Sequence, residues 1–131
     1  MRVLVCGGRD FYHWGLLHNT LSGIKNENHI SCIIQGEAKG ADWLAKAWAS
    51  WFNIPTEDYP ADWKAYKKGA GHIRNQQMID EGKPDLVVAF KGGTGTADMI
   101  RRAKKHNIKV IEVKDGTCSS KNIKVRNTLC R

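Results

Sequence analysis

The sequence predicts an α/β fold: a single Rossmann-like domain with about five mainly parallel strands and helices on both faces. Three observations carry this reading. Strand-like and helix-like segments alternate along the 131-residue chain. The strand-like segments are continuous apolar runs, as expected of strands covered on both faces. Glycine-rich loops follow the strands at the positions where such sheets bind ligands.

The elements follow in order. Val3 to Cys6 is a short apolar strand. Trp14, Leu17, Leu21 and Ile24 recur at helical spacing. Ile30 to Ile34 is a second strand, ended by Gly36. Ala41, Leu44, Ala45, Trp48, Trp51 and Phe52 mark an amphipathic helix. A short third strand includes Ile54 and Thr56, and residues 59–70 read as loop. His72 to Glu81 forms a helix, with Gly82 as its C-terminal cap and Pro84 beyond it. Asp85 to Phe90 is the fourth strand, Thr96 to His106 a helix, and Val110 to Val113 the fifth strand. The domain is expected over residues 1–115, with 116–131 a basic extension.

Composition narrows the classes. Apolar residues make up 41% and charged residues 26%, which excludes a disordered chain, and 13 Gly with 3 Pro exclude a collagen-like one. No apolar run approaches the roughly 18 residues of a membrane span. The start, Met1-Arg2 before Val3, lacks the pattern of a signal peptide. A cytoplasmic protein is expected, with no membrane partner. The net charge of +8 favours anionic partners, but Lys121, Lys124, Arg126 and Arg131 place part of it in the tail. Cys6 and Cys32 read as buried apolar residues. Cys118 and Cys130 could pair only outside a reducing cytosol. Five histidines show no metal-ligand spacing with these cysteines, so neither a metal nor a cofactor is expected.

Right-handed crossovers put every strand-to-helix loop on one sheet edge. Four such loops are distinctive: Gly7, Gly8, Arg9, Asp10 and Phe11; Gly36, Glu37, Ala38, Lys39, Gly40, Ala41 and Asp42; Tyr59 to Trp63, with Asp62; and Gly92, Gly93, Thr94, Gly95 and Thr96, followed by Asp98. Glycine lets backbone N–H groups reach an anion, and a following helix N-terminus adds positive potential. None of the loops is a Walker P-loop or a Gly-x-Gly-x-x-Gly dinucleotide loop. Arg74 and Asn75 lie four residues before Met78 and Ile79, on the apolar stripe of their helix. An inward Arg must find an anion, either an acidic loop residue or a bound phosphate or carboxylate. Trp63 is the preferred stacking residue for a nucleobase, against the alternative of packing at the rim.

These residues together resemble the SLOG superfamily, which groups the DNA-processing Smf (DprA) proteins with the Lonely-guy phosphoribohydrolases. Within it the chain is most similar to the YspA/YpsA-related branch of bacteria and phages. The matching residues are Gly7 to Phe11, Gly40 to Asp42 with Leu44 and Ala45, Asp62 and Trp63, Gly71 with Arg74, Asn75 and Met78, and Gly92 to Thr96. The resemblance implies a Rossmann-like fold that binds a nucleotide or nucleotide-derived ligand, with phosphate on the Gly92–Thr96 loop. Lonely-guy enzymes resemble Pro-Gly-Gly-x-Gly-Thr-x-x-Glu there, and the Glu works in glycosidic cleavage with an Arg of the preceding helix. Here Lys91 stands in place of the Pro and Met99 in place of the Glu, while Arg74 fits the Arg. Asp98 is the neighbouring carboxylate, about 100° around the helix.

Three functions compete. The leading one is binding of a nucleotide-like small molecule by a sensor or sequestering module. Gly92 to Thr96 would hold its phosphate, Arg9, Lys39 and Arg74 would add charge, and Asp42 or Asp62 would accept from ribose hydroxyls. The second is a nucleoside monophosphate phosphoribohydrolase cleaving an N-glycosidic bond, with Asp98, Arg74 and Glu37, or Asp42, as its groups. The third is a single-stranded nucleic-acid-binding module, supported by charge but by no recognition element. A homodimer is also expected, because one helical stripe cannot bury Trp43, Trp48, Trp51 and Phe52 against its own sheet.

Overall fold

The computed structural model describes residues 1–113; the predicted basic extension and Cys118 and Cys130 lie outside them. The elements are β1 (Arg2–Cys6), α1 (Trp14–Glu27), β2 (Cys32–Gln35), α2 (Ala41–Trp51), β3 (Thr56–Asp58), α3 (Trp63–Tyr66), a 3-10 turn (Lys67–Gly69), α4 (Ala70–Gly82), β4 (Leu86–Ala89), α5 (Thr94–Lys105) and β5 (Lys109–Glu112). All four strand pairings are parallel, in the order β3-β2-β1-β4-β5. The fold is the predicted Rossmann-like one.

Strand alternation divides the core into two layers. Val3, Val5, Ile33, Leu86, Val88 and Ile111 face Leu17, Leu21 and Ile24 of α1 and Ala45 and Trp48 of α2. Leu4, Cys6, Ile34, Val87 and Ala89 face Met78 and Ile79 of α4 and Met99 and Ala103 of α5. Trp48 is fully buried, whereas Trp43 and Trp51 of the same helix are 53% and 77% exposed. No helix among the described residues is long and apolar enough to cross a membrane.

The structure revises the predicted elements in several places. Ile30 and Ile54, read as strand, precede β2 and β3. Residues 63–69, read as loop, form α3 and the 3-10 turn, because the Asp62 carboxylate accepts from the Ala65 N–H at 3.0 Å and caps a short helix. α5 begins at Thr94, so the glycine loop runs directly into its first turn. Gly82 does not cap α4. It is the last helical residue, and Lys83 takes the left-handed position at φ +46°. A Cβ on Gly82 would crowd the Ile34 side chain, 3.2 Å from its Cδ1.

Candidate functional site

β1 and β4 are neighbours in the sheet, but their following helices pack on opposite faces. Their C-terminal ends therefore flank a crevice, the usual ligand position of such sheets. Glycines join the loops around it. The Gly8 N–H donates to the Lys91 carbonyl at 2.9 Å, and a Cβ on Gly8 would stand 3.0 Å from Gly92 Cα. Gly40 has φ +82°, and a Cβ there would lie 2.2 Å from the Gly8 carbonyl oxygen, which also accepts from the Ala41 N–H at 3.2 Å. Backbone from three loops thus packs closely enough to exclude side chains.

The opening turn of α5 is built differently. Gly93 is its N-cap and brings no side chain to the exposed N–H groups. The first bond into the helix is from Ala97 N–H to the Gly93 carbonyl, at 3.0 Å. The N–H groups of Thr94, Gly95 and Thr96 precede it and have no intrahelical acceptor. A Cβ on Gly93 or Gly95 would meet nothing within 4 Å, whereas one on Gly92 would lie 2.1 Å from Thr96 Oγ1. Gly92 therefore seats the threonine, and Gly93 and Gly95 leave the turn open. This is the geometry of an anion cradle.

The turn borders a cavity of about 410 Å³, within the range of small-molecule sites. Gly7, Gly8, Arg9, Asp42, Trp63, Arg74, Asn75, Gly93, Thr94, Gly95 and Thr96 line it, so the structure brings these predicted residues together. Cys6, Ala38, Lys68, Gly71, His72 and Met78 complete the wall. Asp10, Gly36, Glu37, Lys39, Gly40, Asp62 and Gly92 lie outside this lining: Gly40 and Gly92 support it through backbone packing, Gly36 lies under the Arg74 and Asp42 side chains, and Asp62 caps α3.

Asp42 and Arg74 form the floor. Asp42 Oδ2 accepts from the Gly36 and Ala38 N–H groups, each at 3.2 Å. Burial pushes its pKa up to about 6, against the opposing pull of those N–H groups and of Arg74 and Arg9. Arg74 Nη1 donates to the Gly36 carbonyl at 2.6 Å and the Tyr59 carbonyl at 3.3 Å. Arg74 thus ties the ends of β2 and β3 together. Its Nη2 has no acceptor among the described residues.

The two other carboxylates considered for catalysis are engaged elsewhere. Glu37, held at φ +58°, pairs with Lys46 at 2.5 Å, and Lys46 also reaches Asp58 at 3.1 Å. Asp98 is 1% exposed and receives Arg101 at 2.5 Å, Arg102 at 2.7 Å and Asn75 at 3.1 Å, with His72 Nδ1 3.1 Å away. Burial alone would raise its pKa; the bonds from Arg102, Asn75 and His72 outweigh that and hold it below the ordinary value. Neither carboxylate lines the cavity. Met99, at the Glu position of the Lonely-guy pattern, is fully buried in the apolar layer.

Trp63 is half exposed, and the Arg9 guanidinium lies 5.6 Å from its ring centroid. A base stacking on that face would have to displace Arg9. Lys68 and His72 were absent from the sequence-predicted site. Both come from the segment read as loop or its junction with α4, and the signal beside them in the sequence is the pair Gly69 and Gly71.

The sequence model of the YAcAr family, described as the YspA, cpYpsA-related SLOG family, matches residues 1–66. The Gene 61 protein of Mycobacterium phage D29 is 35% identical over 126 residues, covering 87% of this chain and 97% of its own. DNA processing protein A (DprA) from Streptococcus pneumoniae superposes with a TM-score of 0.68 at 20% identity, over 98% of this chain and 55% of its own. The chain therefore spans about half the length of that protein. The molybdenum cofactor binding protein from Rippkaea orientalis gives a TM-score of 0.62 at 18% identity, over 98% of this chain and 83% of its own. At these identities the superpositions establish the fold. The family match and the phage relative establish more: the chain belongs to the YspA/cpYpsA-related SLOG family.

Proposed function

We propose that the crevice binds a phosphorylated, nucleotide-like small molecule, with its phosphate on the first turn of α5. One observation carries this reading. The side-chain-free turn at Gly93 opens into a cavity where Arg9, Lys68 and Arg74 face a single carboxylate, Asp42. Such a site attracts a compact anion. Asp42 is the acceptor for a ribose hydroxyl, and Trp63 the apolar wall for a base. The name of the Rippkaea relative, a molybdenum cofactor binding protein, agrees with a ligand-binding role for this fold.

A sensor or sequestering role fits better than hydrolysis, because Glu37 and Asp98 are consumed by ion pairs. The hydrolytic reading then rests on Asp42, whose pKa of about 6 suits proton transfer. Incubation with nucleoside monophosphates separates the two: a binder returns them unaltered, and a hydrolase releases free base. Mass spectrometry of small molecules released by heat from the purified protein identifies a retained ligand. Gly93→Asp places a carboxylate in the cradle without a packing clash, since no atom lies within 4 Å of the Cβ position. It should abolish ligand-induced thermal stabilisation; a stabilisation equal to wild type would refute the phosphate position.

We also propose that two copies pair through the outer face of α2, which would cover the exposed Trp43 and Trp51.

A further inference from the structure

His72 stands in the first turn of α4, its side chain half exposed, on the wall of the cavity that also holds Gly93 to Thr96. Its Nδ1 lies 3.1 Å from Oδ1 of Asp98. That carboxylate is buried at 1% exposure, and its other partners are fixed: Arg101, Arg102 and Asn75. Asn75 Nδ2 also donates to the Gly95 carbonyl at 3.1 Å. One side chain of α4 is thereby tied both to the carboxylate that holds His72 and to the first turn of α5. The imidazole and the open helix end keep a set relation to each other. His72 Nε2 has no partner among the described residues.

We propose that His72, oriented by Asp98, contacts the phosphate held at the start of α5 and makes the site selective for a terminal phosphate monoester over a diester. The proposal rests on the phosphate position given above. A carboxylate at Nδ1 puts the neutral ring's proton there and leaves Nε2 as the exchanging nitrogen. Protonation makes Nε2 a donor. A monoester carries roughly −1.5 to −2 near neutral pH, with a second pKa near 6. A diester carries a single negative charge and has only two terminal oxygens. The helix end supplies only about half a positive charge. Protonated His72 then meets part of the second negative charge of a monoester, beside the lining cations Arg9, Lys68 and Arg74.

The charged groups around the ring set the balance. Asp98 from α5 faces Nδ1, and Arg101 and Arg102 from the same helix share that carboxylate. Lys68 from the 3-10 turn and Arg9 from the loop after β1 line the cavity as further cations, with Asp42 opposite them in sign. A bound dianion adds the charge that tips the ring towards protonation. By reciprocity, protonation tightens the dianion by the same factor.

The test uses the full chain and two simple probes, methyl phosphate and dimethyl phosphate, followed by amide and imidazole NMR across pH. Methyl phosphate should move the Gly93 to Thr96 amides and raise the His72 pKa by about one, a coupling of about tenfold. Dimethyl phosphate should do neither. His72→Phe should weaken methyl phosphate by about tenfold, the size of one lost charge-assisted bond, and His72→Gln should recover part of it. Amides that shift while the His72 resonances stay still would overturn the role of His72 and leave the phosphate position standing. Equal binding of both probes would overturn the selectivity. No shift with either probe would overturn the phosphate position, and this inference with it.

Discussion

Arg74 and Gly36 compete for one space: Arg74 Nη1 donates to the Gly36 carbonyl at 2.6 Å, and a Cβ on Gly36 would stand 2.0 Å from that nitrogen. Gly36 is glycine because the guanidinium lies across it. The Gly36 N–H meanwhile donates to Asp42 at 3.2 Å, so one peptide segment joins the floor's cation to its carboxylate.

Arg74 therefore serves the fold, and under the proposed function the ligand as well. Arg74→Ala removes the charged donor from the buried Gly36 carbonyl and should lower stability by about 2–3 kcal/mol in urea titration. Affinity for a phosphorylated ligand should fall about ten- to a hundredfold in the same variant. Arg74→Lys should recover only part of each, since Lys lacks the planar fork. A stability loss with unchanged affinity would assign Arg74 to structure alone.

Asp42 predicts a pH dependence of stability. Its folded pKa of about 6 lies above the unfolded value, so over the intervening range the unfolded chain has fewer bound protons. Stability should fall as pH rises from about 4 to about 6, with a total cost of about 3 kcal/mol, and level off above that. Asp42→Asn keeps an acceptor for the Gly36 and Ala38 N–H groups without the charge. It should stabilise the ligand-free protein at pH 7 and lose that advantage below about pH 4. Equal stability of the two proteins at all pH values would remove this account of Asp42.

The glycines of the site should respond in opposite directions. Gly40→Ala forces a side chain to φ +82° and against the Gly8 carbonyl, and should cost more than about 2 kcal/mol. Gly95 lies within α5 with nothing within 4 Å of its Cβ position. Gly95→Ala should raise stability by about 0.5–1 kcal/mol while weakening a phosphorylated ligand. Thermal unfolding with and without ligand reads both effects.

Pairing through α2 is tested at its outer face. Trp51 is 77% exposed, so Trp51→Glu should leave the monomer's stability within about 0.5 kcal/mol. Sedimentation should then show a concentration-dependent dimer for the wild type and a monomer for the variant. A monomeric wild type at high micromolar concentration would end the proposal.

What was legible in the sequence was set by backbone-level demands. Apolar runs such as Val3 to Cys6 and Leu86 to Ala89 announced buried parallel strands. Gly8 and Gly92 marked a place where backbone meets backbone. Arg74 betrayed itself as a charge on an apolar stripe. Side-chain pairing was less legible. Glu37 and Asp98 have the composition of catalytic groups, but Lys46 and the pair Arg101 and Arg102 engage them, and those partners come within reach only through helix geometry. His72 carried no signal because its orientation depends on Asp98, 26 positions later in another helix. Gly82 shows the converse: a glycine at a helix end that lies against Ile34 while Lys83 takes the cap position.

The central place of β1 has a consequence for synthesis. β1 pairs with β2 on one side and with β4 on the other, in the register Val3 with Leu86 through Cys6 with Ala89. As the chain leaves the ribosome, β1, β2 and β3 are available long before β4. Through that interval one edge of an apolar strand stands bare, and two nascent chains can offer that edge to each other. At about 5–20 residues per second the exposure lasts on the order of seconds. The strand pair that shapes the crevice in the finished molecule is thus also a late seam, followed only by β4 with β5, and the interval before it closes is when aggregation during expression competes with folding.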